Sequence, residues 1–127
     1  MSLNAAITGI GMSDIGRKTG RPAMTHLVEA AKRALECAGL TKDDIDVWEI
    51  NEAFSVVAEK FIRDLDLDRE KVNINGGAMA LGHPIGATGS ILIGTALDEL
   101  ERSGGRYGLV TMCAAGGMAP AIIIERI

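Results

Sequence analysis

Three side chains that can work on a carbonyl group stand in this sequence, each where the chain changes character. Asn51 opens the run Asn-Glu-Ala-Phe; His83 sits inside the stretch Asn75 to Gly89, NGGAMALGHPIGATG; Cys113 opens Cys-Ala-Ala-Gly-Gly. A neutral imidazole and an amide can donate hydrogen bonds to a developing oxyanion, directly or through water, and a cysteine can shuttle a proton near neutral pH. Each also has a plainer reading. Asn51 fits a helix N-cap with Glu52 supporting the helix dipole, His83 fits a loop histidine satisfied by backbone, and Cys113 fits an inert buried thiol. Only the three together point to chemistry. Cys37 reads as a core residue of a helix, and His26, early in that helix, as solvated.

The stretch around His83 holds five of the chain's 16 glycines. Glycines permit positive φ and close backbone approach, and Pro84 stiffens the chain just after the histidine and biases it away from helix. The imidazole is thereby held at the entrance to the apolar run Ile91, Leu92, Ile93.

The elements that must position these residues follow from periodicity. Ala5 to Gly11 reads as a strand ending in glycines, and Asp14 to Arg21 as a loop. From Pro22 the positions Met24, Leu27, Val28, Ala31, Leu35 and Ala38 keep helical spacing until Gly39 stops them. Val47 to Ile50 is a second strand. Phe54, Val57, Ala58, Phe61, Ile62 and Leu65 mark an amphipathic helix. Val72 to Asn75 is expected as a third strand, and a helix from about Ala87 to Arg102 as one buried on more than one side. Tyr107 to Cys113 and Met118 to Arg126 are strands around a Gly116-Gly117 turn. The order β-α-β-α-β-α-β-β predicts an α/β fold with a mixed, largely parallel five-stranded sheet, helices on both faces and one antiparallel pairing at the end. Asn51, His83 and Cys113 would then all lie at or just after carboxyl ends of strands, where ligands bind in such sheets.

At 127 residues and 47% hydrophobic content the chain suits one domain with one core. Aromatics are only 3%, so that core is built from Ala, Val, Ile, Leu and Met. A net charge of −4 argues against nucleic-acid and membrane partners. The two cysteines show neither metal spacing nor a disulfide framework, so no metal is expected and the cytoplasm is the default compartment. No apolar stretch is long enough to span a membrane, and no signal-peptide pattern opens the chain. Gly9-x-Gly11 lacks the third glycine of a dinucleotide fingerprint, Asp14 standing in its place, and Gly82-x-x-x-Gly86 lacks the Lys-Ser or Lys-Thr of a P-loop. Met1 to Leu3 read as an expression remnant.

NEAF at 51–54, NGGAMALGHPIGATG at 75–89 and CAAGG at 113–117 closely resemble, in order, motifs of the C-terminal half of thiolases, and the resemblance runs from about Ala38 to Ile127. It implies acyl-CoA chemistry through an acyl-cysteine intermediate, with coenzyme A as a substrate and no tightly bound cofactor. His83 would activate the nucleophile and donate to the thioester oxyanion. Asn51 would hold a water completing that site, and Cys113 would be the acid/base acting on the α-proton of acetyl-CoA. Gly86 and Gly117 would shape the backbone. The family's usual Cys-x-Gly is replaced by Cys113-Ala114-Ala115, where Ala115 keeps the backbone N–H donor. Residues 4–46 look more like the start of a thiolase's first half, fused to the second half near Asp46. A whole thiolase resembles two copies of this fold, the nucleophilic cysteine lying in the first, so weak or absent turnover alone is expected. Alternative roles are a non-catalytic assembly domain, forming a homodimer or higher oligomer, or a CoA binder without turnover.

Overall fold

The computed structural model describes residues 4–15, 20, 22–114 and 116–127. Ala115, residues 1–3 and most of the expected 14–21 loop lie outside them.

Strand β1 (Ala5–Met12) is followed by α1 (Ala23–Ala38), β2 (Val47–Ile50), α2 (Ser55–Leu65), the short α3 (Ala78–Leu81), α4 (Thr88–Ser103), β3 (Tyr107–Thr111) and β4 (Pro120–Arg126). The α/β class, the three longer helices and the closing antiparallel pair are as the sequence predicts, while the short α3 inside the glycine-rich stretch was not expected. Helix α1 ends where Gly39 takes φ 69°, with the Leu40 N–H returning to the Leu35 carbonyl at 3.0 Å; this satisfies carbonyls the helix would otherwise leave open.

The sheet has four strands in the order β1-β4-β3-β2. Only β2 and β3 are parallel; β4 runs antiparallel to both β1 and β3. The expected largely parallel arrangement is therefore corrected: β4 lies between β1 and β3, so both of its pairings are antiparallel. The predicted strand at 72–75 is also corrected. Val72 makes a single bridge to Trp48, and Asn73 then turns into the left-handed region at φ 47°. Its side chain takes over the pairing: Asn73 Oδ1 accepts from the Ile50 N–H at 2.8 Å, and Nδ2 donates to the Ile50 carbonyl at 3.0 Å. One amide thus mimics a strand residue and ends the ladder.

Helices α1 and α2 cover one face. Leu27, Ala30, Ala31 and Ala34 of α1 and Val57, Phe61 and Leu65 of α2 pack with Trp48, Ile50, Leu109 and Ile123. Trp48 and Phe61 meet edge to face, ring centres 6.1 Å apart, and each such fully buried side chain contributes on the order of 1.5–3 kcal/mol. The glycines of Gly9-x-Gly11 serve this packing: a Cβ on Gly9 would meet the Ala34 carbonyl at 2.6 Å, and one on Gly11 would run into the Ala30 carbonyl.

Helix α4 covers the other face with Leu92, Ala96 and Leu100 against Val47, Val110 and Ile124. The expectation that it is buried on more than one side is not met. Ile91 is 46% exposed and Ile93 38%, because a single sheet offers only one surface to pack on. Two further expectations reverse: His26 is buried and Cys37 is exposed.

Candidate active site

The site is built where β2 and β3 end side by side. The Asn51 N–H donates to the Thr111 carbonyl at 3.0 Å, extending the parallel ladder by one residue. This fixes the Asn51 backbone, and the side chain that follows is fully buried. Neither its Oδ1 nor its Nδ2 has a hydrogen-bond partner. Burying an amide in that state costs roughly 1–3 kcal/mol, a cost expected where a polar group is held ready for something else. Asn51 is no helix cap, since Phe54 precedes α2 and supplies no side-chain bond.

Two residues past β3, Cys113 stands at the head of the turn into β4. The Thr111 hydroxyl donates to the Pro120 carbonyl at 2.9 Å and the Ala114 N–H to the Met118 carbonyl at 2.9 Å. Gly116 and Gly117 close this turn at φ 91° and 76°. The thiol is half-buried, and burial pushes it above its ordinary range. Near neutral pH it is therefore a proton donor at rest.

His83 arrives differently. No strand leads into it; α3 ends at Gly82, whose φ of 96° admits no ordinary side chain, and the imidazole follows, exposed, before α4. Its Nδ1 lies 2.8 Å from Thr88 Oγ1, and that hydroxyl is 3.1 Å from the Pro84 carbonyl. Gly89, one residue on, lines an apolar groove of about 130 Å³ together with Thr111, Met112 and Pro120. The N-terminus of α4 thus abuts the segment between Thr111 and Cys113. All three predicted residues are brought to one end of the sheet, Asn51 and Cys113 through paired strand ends and His83 through the start of α4. Gly86, in the same loop, is exposed and its Cβ position is open.

Carboxylates support the glycine-rich segment from below. Glu52 accepts from Asn73 Nδ2 at 2.9 Å and from the Met79 N–H at 3.1 Å. A Cβ on Gly77 would run into this carboxylate, so a side chain there would displace Glu52 from these contacts. Glu99, buried in α4, takes Asn75 Nδ2 at 2.9 Å and Arg102 Nε at 2.8 Å, and Arg102 holds it below the usual carboxylate range. Glu49 is the exception. It is 1% exposed, its Oε1 has no partner, and burial, reinforced by Glu52 and Glu99, pushes it up to about 8. It lines a cavity of about 20 Å³ with Gly76, Gly77, Thr88 and Thr95, room for about one water.

Thr88, Glu49 and Asn73 were not singled out by the sequence. The readable signal was a charged residue within Val47-Trp48-Glu49-Ile50, a strand with every residue buried. Among the described residues no group of three His, Cys, Asp or Glu side chains could hold a metal, and no helix is long and apolar enough to cross a membrane.

Residues 10–126 match the family described as thiolase, C-terminal domain. The chain is 55% identical over 104 residues to the steroid 3-ketoacyl-CoA thiolase FadA6 of Mycobacterium tuberculosis, covering 82% of this chain and 26% of that protein. It is 48% identical over 99 residues to the cytosolic acetyl-CoA acetyltransferase of Rattus norvegicus, covering 78% of this chain and 25% of that one. The crystal structure of human mitochondrial 3-ketoacyl-CoA thiolase superposes with a TM-score of 0.91 at 39% identity, over 99% of this chain and 31% of the other. The chain thus spans about a quarter of the length of the curated relatives it matches.

Proposed function

From the premise that this chain belongs to the thiolase family, as its C-terminal domain, we propose that it carries the oxyanion site and the acid/base of an acyl-CoA C-acyltransferase. The observation that carries the reading is the fully buried Asn51 amide with both polar atoms unpartnered, beside the strand end that leads to Cys113. A water held by that amide, with His83, would receive the thioester oxyanion. Cys113, once its own proton has gone to a departing CoA thiolate, would take the α-proton of acetyl-CoA in condensation and return it in thiolysis. Gly86, Gly117 and the Ala115 N–H would shape the backbone around these groups, and coenzyme A would enter as substrate.

On this reading neither cysteine of the sequence is placed to be the acyl-accepting nucleophile. Cys37 is exposed on α1, which covers the sheet face opposite α4. A nucleophile needs its base within hydrogen-bond reach, and His83 opens onto α4. Incubated with acetoacetyl-CoA and free CoA, the purified chain is expected to show no thiolysis above that of its His83→Ala and Cys113→Ala variants. Turnover abolished by Cys37→Ala would overturn this reading.

A second reading concerns partners. On the open side of α4, Ile91 and Ile93 are exposed, and on the edge strand β1 Ile10 and Met12 are 62% and 45% exposed. Gly94, next after Ile93 and three residues on from Ile91, has open space where a Cβ would be, and a small residue on an apolar helix face suits close crossing of two like helices. We propose that a second copy covers this face about a two-fold axis. Light scattering at micromolar concentration is expected to give twice the chain mass, falling to the monomer in Ile91→Lys; a monomeric parent would count against it.

A further inference from the structure

We infer that Thr88 is a positioning residue that holds His83 with its proton on Nδ1, leaving the Nε2 lone pair turned outward. The inference rests on the reading of His83 as the base, but its geometry stands independently of turnover.

Thr88 is the first residue of α4 and 3% exposed, whereas the imidazole it holds is exposed. The buried partner therefore sets the position of the free one. Its hydroxyl lies 3.1 Å from the Pro84 carbonyl four residues back and 2.8 Å from His83 Nδ1. A hydroxyl has one proton and spare lone pairs, and a carbonyl oxygen can only accept. With the proton directed at Pro84, as helical threonines commonly direct it, the contact to Nδ1 can be made only by an Nδ1–H. β-Branching restricts χ1, and burial leaves the side chain no room to turn its oxygen to water.

The competing arrangement puts the hydroxyl proton on Nδ1 and leaves the Pro84 carbonyl to the N–H groups of Ala87 and Thr88, at 2.7 and 3.0 Å. It would make Nε2 a donor and no base. The first arrangement suits proton transfer better. When Nε2 takes a proton the ring becomes an imidazolium, and its Nδ1–H still donates to the same Thr88 oxygen. Nothing on the Thr88 side has to reorganise as the proton arrives or leaves.

The test reads the tautomer directly. Long-range ¹H–¹⁵N spectra of the intact chain labelled at histidine, taken at about pH 9, above the ordinary imidazole range, distinguish a protonated from an unprotonated ring nitrogen; His83→Asn assigns the signals by their loss. The parent is expected to show Nδ1 protonated and Nε2 bare. Thr88→Ser should keep that pattern, while Thr88→Val, nearly the same in shape, should move the Nδ1–H to Nε2–H ratio by about fivefold or more toward Nε2–H, the worth of one net hydrogen bond. A parent dominated by Nε2–H, or a ratio that Thr88→Val leaves unchanged in a chain whose amide spectrum is otherwise intact, would overturn the inference. The expected tautomer in a chain whose His83 proves irrelevant to acyl transfer would instead uphold Thr88's role and refute the functional reading.

Discussion

Carried in place of the matching segment of a whole thiolase, residues 38–127 are expected to support acetoacetyl-CoA thiolysis, and His83→Ala in that chimera to lower kcat by about a thousandfold. An oxyanion donor alone is worth about 10²–10³ in kcat and a positioned acid or base about 10²–10⁴, and His83 is proposed to do both jobs. Asn51→Ala should cost about a hundredfold, chiefly in kcat, because a water poised for an oxyanion is strengthened only in the transition state. Cys113→Ala should be at least as damaging as Asn51→Ala, since the α-proton would have no other acceptor. These losses separate function from folding. Removing the Asn51 amide also relieves a buried polar group with no partner, so the variant should be no less stable than the parent while being far less active. A chimera in which His83→Ala stays within tenfold of the parent would sink the assignment.

Glu49→Gln is expected to stabilise the protein at alkaline pH by roughly 2–4 kcal/mol, the largest stability effect of any single substitution proposed for this chain. In the folded protein the carboxyl titrates at about 8, raised mainly by burial; in the unfolded chain it returns to the ordinary value near 4.3. Between those values the folded state holds a proton that the unfolded state has released. Stability from this group is therefore whole below about pH 4 and falls by up to ~1.4 kcal/mol per unit as pH rises, until the folded carboxyl ionises near 8. Glutamine keeps the shape and the donor without the titration. Urea unfolding at pH 5 and pH 8 checks the sign: the parent should lose more stability over that interval than the variant. Equal losses in the two proteins would mean that Glu49 is already ionised in the fold.

The α/β class and the apolar faces of α1, α2 and α4 were legible because apolar spacing is a local signal, and glycine stops marked the ends of α1 and α4. Strand pairing was not. Nothing in the order of elements says that β4 lies between β1 and β3, and so the sheet was expected to be more parallel than it is. His26 and Cys37 show the same limit. They stand about three helical turns apart and so on one side of α1, yet one is buried and the other exposed. Periodicity cannot separate two such residues; what covers each end of the helix decides. Of the site, Asn51, His83 and Cys113 were readable as types at junctions, whereas Thr88 owes its place to a hydroxyl reaching back five residues. No pattern of hydrophobicity carries that.

Asn73 has a consequence for how this molecule meets others in a crowded solution. A sheet edge is a template on which foreign strands can grow, and β2 is one of the two edges here. Its last residue is already occupied, N–H and carbonyl both, by a single side chain. An amide takes up these groups without offering any of its own for the next strand, so it acts as a stopper: aggregation by strand addition is blocked at the end of β2 nearest the site. At the opposite edge the irregularity between Ile7 and Gly9 disturbs β1's regular spacing. The chain thus keeps its β-sheet to itself, while its apolar helix face remains the surface open to company.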